Sequence, residues 1–119
     1  LHWPNSNIPI GETMSAMEKL VEQGKVRHIG VSNFSVAQLQ EAESTLSRNG
    51  IVSNQVLYSL VDREIEGDLI PYCQERHVTI IAYSPLAQGF SNITSRDKNG
   101  VLRRIARETV HTEAQVGLR

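Results

Sequence analysis

Four short stretches of the 119-residue chain set polar or aromatic side chains beside apolar runs: His2-Trp3-Pro4, Ser32-Asn33, Gln55 and Tyr83-Ser84. Their types share a logic. Asn33 and Gln55 each carry one amide acceptor and two amide donors, the complement of a carboxamide, and Ser32 adds a hydroxyl. A nicotinamide ring bears that group. Tyr83 offers a flat face on which such a ring can stack, and residues 84–89, Ser-Pro-Leu-Ala-Gln-Gly, form a turn-prone stretch able to present donors to a pyrophosphate. A ring held by its face and its amide exposes one side for hydride transfer. Read singly, each residue has a plainer use: Asn33 as a turn residue or Asx cap, Gln55 as a buried amide bonded to backbone, Tyr83 as a strand aromatic, His2 as a solvated side chain. Only a common location joins them.

The elements that must supply this location show as periodicity. Residues 26–31, 51–57 and 78–83 are β-type runs, each followed by a helical pattern. After the first, Ser35 and Gln38 form a capping box, and Val36, Leu39, Ala42 and Leu46 recur at helical spacing until Asn49-Gly50. After the second, Asp68 is the expected N-cap, Pro71 falls in the first turn, and Leu69, Ile70 and Cys73 give the apolar stripe. Met14, Met17, Leu20 and Val21 mark a helix ended by Gln23-Gly24, Val101, Leu102, Ile105 and Ala106 mark another, and Thr112 with Gln115 opens a third. The polar, aperiodic stretch 88–100 is expected as a long loop. Strand starts at 26, 51 and 78, spaced by 25 and 27 residues, imply a βα repeat with parallel strands. Such a repeat builds either a doubly wound sheet or part of a (β/α)8 barrel, whose unit is about 31 residues. Both folds place their sites at the C-terminal ends of the strands. Ser32-Asn33, Gln55 and Tyr83-Ser84 occupy such ends, and His2-Trp3-Pro4 fits the exit of a strand lying before residue 1.

Composition narrows the partners. Counted with glycine, apolar residues make up about 46% of the chain, within the roughly 45–50% of ordinary globular proteins. Twelve Lys+Arg against thirteen Asp+Glu leave no basic field for nucleic acid, and Arg103, Arg104 and Arg107 read as the solvated face of a helix. The apolar runs are a few residues long, far below the ~18–20 that span a bilayer, so no membrane partner is expected. A single Cys73 cannot form an internal bridge, which fits a reducing, cytoplasmic setting and argues against Asn92-Ile93-Thr94 as a glycosylation site. No metal site is expected.

The order and spacing of Leu1-His2-Trp3-Pro4, of residues 17–34 ending in Gly30-Val31-Ser32-Asn33-Phe34, of Asn54-Gln55 and of residues 82–89 resemble the aldo-keto reductase family. The similarity extends to Thr112-Glu113-Ala114-Gln115-Val116. It implies a (β/α)8 TIM barrel, with residues 1–119 as a partial domain running from the end of the fourth strand to the helical region before the eighth. The implied reaction is NADPH-dependent reduction of aldehydes and ketones to alcohols, with a small-molecule carbonyl substrate and with NADH as the open alternative cofactor. By the same resemblance His2 orients and polarises the substrate carbonyl, with Trp3 beside the substrate pocket. Ser32, Asn33 and Gln55 hold the nicotinamide carboxamide, Tyr83 stacks on the ring, and Ser84, Leu86 and Gln88 line the pyrophosphate path.

Of the four catalytic residues that family members use, a Tyr, a Lys, an Asp and a His, only His2 has a counterpart here. A tyrosine with a pKa of about 10 needs a nearby cation to act as an acid at neutral pH. Lys19, Lys25 and Lys98 fall by pattern on helix, turn and loop, and neither Tyr58 nor Tyr72 has a cation beside it in the pattern. Residues 1–119 alone are therefore expected to lack activity, and to self-associate through unpaired strand edges and an apolar inner face. The start at Leu1 without Met fits such a part of a larger barrel. Two other readings stand beside this one: a non-catalytic cofactor-binding relative similar to the channel β-subunits, and a stand-alone half-barrel acting as a binding or assembly module.

Overall fold

A computed structural model describes all 119 residues. The elements follow one another as α1 (Ile10–Glu22), β1 (Ile29–Ser32), α2 (Val36–Thr45), β2 (Ile51–Leu57), a 3-10 turn (Glu64–Glu66), α3 (Leu69–Glu75), β3 (Thr79–Tyr83), α4 (Phe90–Thr94), α5 (Val101–Thr109) and α6 (Glu113–Gly117). The sheet has the order β1-β2-β3, with helices α2 and α3 connecting its strands, and β1 and β2 run parallel. The chain divides into two compact units: Leu1–Val56 with Ile65–Ile81, and Leu57–Glu64 with Ala82–Arg119.

In the first unit the apolar residues of α1, α2 and α3 close over one face of the sheet. Met14, Ile29, Phe34, Leu39 and Ala42 are almost or wholly inaccessible, and Cys73 and Val78 extend the same cluster. Strand β1 begins at Ile29 and not at residue 26, as periodicity suggested, because the backbone before it serves helix α1. Gly24 takes φ 69°, and the N–H groups of Lys25 and Val26 donate to the Leu20 carbonyl, satisfying the helix end. Helix α2 starts where its capping box requires: Ser35 Oγ accepts from the Gln38 N–H, and Gln38 Oε1 accepts from the Ser35 N–H.

The register of β1 against β2 carries an irregularity. Ile29 pairs with Ile51 but Gly30 pairs with Ser53, so Val52 is an extra residue, and Ser32 comes to lie opposite Gln55. Gly30 makes room there: a Cβ on it would lie 2.6 Å from Ser53 Oγ, so that hydroxyl would have to move. Asn54 faces the core from the middle of β2 and is fully buried. Its Nδ2 donates to the Phe34 carbonyl at 2.8 Å and its Oδ1 accepts from the Phe34 N–H at 3.4 Å.

The connection from α2 to β2 is gathered by one carboxylate. Glu18, buried on α1, accepts from the backbone N–H groups of Ser47, Arg48 and Asn49, from Ser47 Oγ and from Asn49 Nδ2. These donors, led by the Arg48 N–H, outweigh the opposing effect of burial and lower its pKa from 4.5 to about 2. A second polar link joins α2 to α3, where Tyr72 Oη donates to Glu43 Oε2 at 2.8 Å.

The second unit has its own core, in which Ala87, Ile93 and Leu102 are buried and Val61, Phe90 and Val116 pack against them. The 88–100 stretch is not loop throughout, since Phe90–Thr94 winds into α4 to place Ile93 in this core. Helix α5 is capped from outside its sequence: both Asp97 carboxylate oxygens accept from its first turn, from Val101 N at 2.8 Å and Leu102 N at 2.9 Å. Thr112 and Gln115 complete the capping box expected for α6. Arg103, Arg104 and Arg107 are exposed, with Arg103 paired to Glu113 and Arg104 to Glu108.

Two stability predictions follow from these buried polar groups. Glu18→Gln lowers the urea midpoint at neutral pH. Because the folded pKa lies below the unfolded one, the carboxylate's contribution is complete above 4.5 and is lost as pH falls toward 2, so the wild-type and variant midpoints converge there. Asn54→Leu, similar in size but unable to bond Phe34, costs about 1–3 kcal/mol in the same measurement, since it leaves both Phe34 backbone groups buried without partners.

Candidate functional site

In the first unit, parallel pairing brings the C-terminal ends of β1 and β2 side by side. The backbone carbonyl of Gln55 accepts twice, from Ser32 Oγ at 2.7 Å and from the Asn33 N–H at 2.9 Å. Asn33 Nδ2 in turn donates to Ser32 Oγ at 3.0 Å and to the His2 carbonyl at 3.5 Å. The Ser32 hydroxyl proton is thus committed within the protein. What remains free is an amide set: Asn33 Oδ1 and the whole carboxamide of the exposed Gln55 have no protein partner. Asn33 sits at φ 60°, a conformation asparagine tolerates better than most residues, and it turns the chain sharply at the end of β1. His2 and Trp3 are exposed, with their ring centroids 6.2 Å apart and tilted by 47°.

In the second unit the equivalent exit is more strained. Ser84, Ala87 and Gln88 have φ of 49°, 54° and 56° within five residues, and none is glycine. Left-handed geometry costs an L-residue roughly 1–2 kcal/mol, and clustered strain of this kind marks sites where the surrounding structure over-determines the backbone. Here the restraints are visible. The Ala87 N–H donates to the Ser84 carbonyl at 2.7 Å, the Gly89 N–H to the Leu86 carbonyl at 3.0 Å, and Asn92 Nδ2 to the Ala87 carbonyl at 2.8 Å. The turn leaves the backbone N–H groups of Leu86 and Gln88 without protein acceptors, the kind of donor set that suits an anion. The Leu86 side chain packs on the second core, so only its backbone faces a ligand role, while the Gln88 side chain is exposed. Tyr83, half-buried at the end of β3, immediately precedes this turn.

The structure thus brings His2, Ser32, Asn33 and Gln55 together in the first unit, and it sets Tyr83, Ser84, Leu86 and Gln88 along one strand exit in the second. Sequence reasoning missed two residues that shape these exits, Asn54 and Asn92. Asn54 had a signal, since asparagine is depleted inside strands and needs a reason to be there; Asn92 was read only as part of an Asn-Ile-Thr triplet.

Two other reactive side chains, Tyr72 and Cys73, are poorly set for catalysis. Tyr72 does have a cation nearby, contrary to expectation: the Arg76 guanidinium lies 5.7 Å from its ring centroid, as their i,i+4 spacing on one helix face allows. Burial and then the Glu43 carboxylate nevertheless push its pKa up to about 12, the wrong direction for a proton donor. The Cys73 thiol is buried and its pKa is raised, chiefly by desolvation, as befits an inert thiol. No three His, Cys, Asp or Glu side chains are placed to hold a metal ion. No helix is long and apolar enough to cross a membrane.

Comparison with known proteins bears on the family and the fold. The Aldo/keto reductase family profile matches residues 1–115. Methylglyoxal reductase YeaE of Escherichia coli (strain K12) is 45% identical over 116 residues, which cover 98% of this chain and 40% of that protein. Among solved structures, the thermostable aldo-keto reductase Tm1743, crystallised with the inhibitor epalrestat, superposes with a TM-score of 0.88 at 44% identity over 99% of this chain and 42% of its own. An aldo/keto reductase from Klebsiella pneumoniae in complex with NADP and acetate gives a TM-score of 0.76 at 39% identity, over 99% of this chain and 41% of its own. The chain thus spans about two fifths of the length of these relatives. It belongs to the aldo/keto reductase family, and its βα units are those of a (β/α)8 barrel.

Proposed function

We propose that this chain supplies the nicotinamide-binding side and one catalytic residue of an NADPH-dependent carbonyl reductase. The observation that carries the reading is the amide set at the paired ends of β1 and β2: Asn33 Oδ1 and the Gln55 carboxamide, held in place by Ser32 and left without protein partners. A carboxamide offers two N–H donors and one carbonyl acceptor: Asn33 Oδ1 and the Gln55 side-chain oxygen can accept from the donors, and the Gln55 amide nitrogen can donate to the carbonyl. The residues present therefore fit a nicotinamide cofactor. Taken by itself, the second unit has unpartnered N–H groups in the strained 84–88 turn that suit a diphosphate, and Tyr83 offers a ring face beside that turn.

When bound, such a cofactor supplies the hydride. The residues of this chain orient it and leave a face clear, while the exposed His2 imidazole takes the part of orienting and polarising the substrate carbonyl, with Trp3 against the substrate. The NADP and NADPH complexes of the Klebsiella pneumoniae enzymes support NADPH over NADH. Methylglyoxal, the substrate in the name of the Escherichia coli relative, is a natural first aldehyde to test. Of the four catalytic residues that the family uses, residues 1–119 carry only the counterpart of the histidine, His2, so alone they lack turnover. Val52 and Ile81, exposed large hydrophobics on the sheet, favour self-association of the isolated piece.

In the full enzyme containing this chain, Gln55→Ala raises the NADPH Kd about tenfold, the loss of one good hydrogen bond. His2→Ala lowers kcat/KM for methylglyoxal about 10²-fold while leaving the NADPH Kd near the wild-type value. Unchanged NADPH affinity in both Gln55→Ala and Asn33→Ala would overturn the cofactor assignment. Purified 1–119 is expected to elute as oligomers in size-exclusion chromatography with light scattering and to show no NADPH oxidation; a monodisperse monomer or steady turnover would count against that expectation.

A further inference from the structure

One hydrogen bond in the second unit has no part in the roles above. Asn92 Nδ2 donates to the Ala87 carbonyl, and that carbonyl belongs to the peptide joining Ala87 to Gln88, two consecutive residues with positive φ. Neither is glycine, so neither side chain favours this geometry. The orientation of the peptide plane is set by ψ of Ala87 and φ of Gln88, and one hydrogen bond to its oxygen restrains both. The donor is itself held. The Asn92 N–H donates to the Gly89 carbonyl at 2.9 Å, and the next residue, Ile93, is buried against Leu102 in the second core. A chain of contacts therefore runs from a packed core, through Ile93 and Asn92, to the most strained peptide of the turn. The same contacts use the Asn92 amide nitrogen as an internal donor, which is a reason for asparagine at this position that its place in an Asn-Ile-Thr triplet does not provide.

We infer that Asn92 is a positioning residue for cofactor binding: anchored through Ile93, its amide holds the 84–88 turn in the shape that receives a diphosphate before the ligand arrives. This rests on the assignment of that turn to a nicotinamide cofactor in the preceding section. Asn92 acts through Ala87 and Gln88, so its loss falls on cofactor affinity and on turn mobility and leaves the chemical step alone. A residue that merely stabilised the fold would move all of these together.

The test uses the full enzyme and three readouts: NADPH Kd by fluorescence titration, kcat for methylglyoxal at saturating NADPH, and hydrogen exchange of the bonded Ala87 and Gly89 amides in cofactor-free protein. Asn92→Ala and the isosteric Asn92→Asp, whose carboxylate repels the Ala87 carbonyl, are each expected to raise Kd about tenfold, to speed the Ala87 and Gly89 exchange by a similar factor and to keep kcat within about twofold. Adding Ala87→Gly to Asn92→Ala relieves the left-handed strain and recovers most of the affinity. Asn92→Asp keeps the side-chain volume, so the test stands even where the alanine variant folds poorly. If wild type binds NADPH and both single variants match it in Kd and exchange, the inference is overturned while the cofactor assignment survives. If kcat falls in step with the rise in Kd, or the glycine brings no recovery, the positioning role is likewise overturned. If wild type itself fails to bind NADPH, the cofactor assignment falls first and the role of Asn92 falls with it.

Discussion

The buried pairing of Asn54 with the backbone of Phe34 is the interaction on which the first strand exit depends. An amide in the middle of a strand, wholly removed from water, is tolerated only if its donor and acceptor are both used. Phe34 provides both partners, one at 2.8 Å and one at 3.4 Å. Phe34 is the residue immediately after Asn33, so the left-handed Asn33 is gripped from both sides, by the Gln55 carbonyl on its own N–H and by Asn54 on its neighbour. Without that grip the turn would relax, and the free amide set of Asn33 and Gln55 would lose its fixed geometry.

The second exit solves the same problem with a different anchor. Its backbone is more strained and its restraint comes from a helix turn downstream, not from the adjacent strand. In both units, then, the residues that could meet a ligand stand on backbone that packing elsewhere holds in place. The Glu18 carboxylate extends this logic one step further from the site. By collecting the N–H groups of 47–49 it sets where the chain turns into β2. The start of β2, together with the extra residue at Val52, decides that Ser32 meets Gln55 across the strands. A shift of one residue would put Asn54 there and turn Gln55 toward the other face.

Much of this was legible in the residues. The capping boxes at Ser35 and Thr112 formed as read, because their hydrogen bonds are local and need no tertiary partner. Strand β2 runs from 51 to 57 as its apolar run indicated. Three elements departed from their patterns, and in each a longer-range demand won. The Val26 N–H serves the end of α1, which removes it from β1; helix α2 stops at Thr45, short of Asn49-Gly50, with the 47–49 N–H groups given to Glu18; and the polar 90–94 stretch coils because Ile93 finds a core in the second unit. The register irregularity at Val52 had no sequence signature, whereas the cation over Tyr72 had one that went unused, the i,i+4 spacing of Tyr72 and Arg76.

Family, βα alternation and the identity of the side chains at the strand ends are all written in the order of the residues, since motif order, capping chemistry and periodicity are properties of neighbours along the chain. Which of those side chains remain free to meet a ligand depends on packing. Ser32 spends its proton on a carbonyl 23 residues away, Asn54 turns inward to hold Phe34, and Gln55 is left open beside them. The reason is that hydrogen-bond capacity is shared across strands and turns distant in sequence, and only when they are packed together is it settled which donors and acceptors are already used.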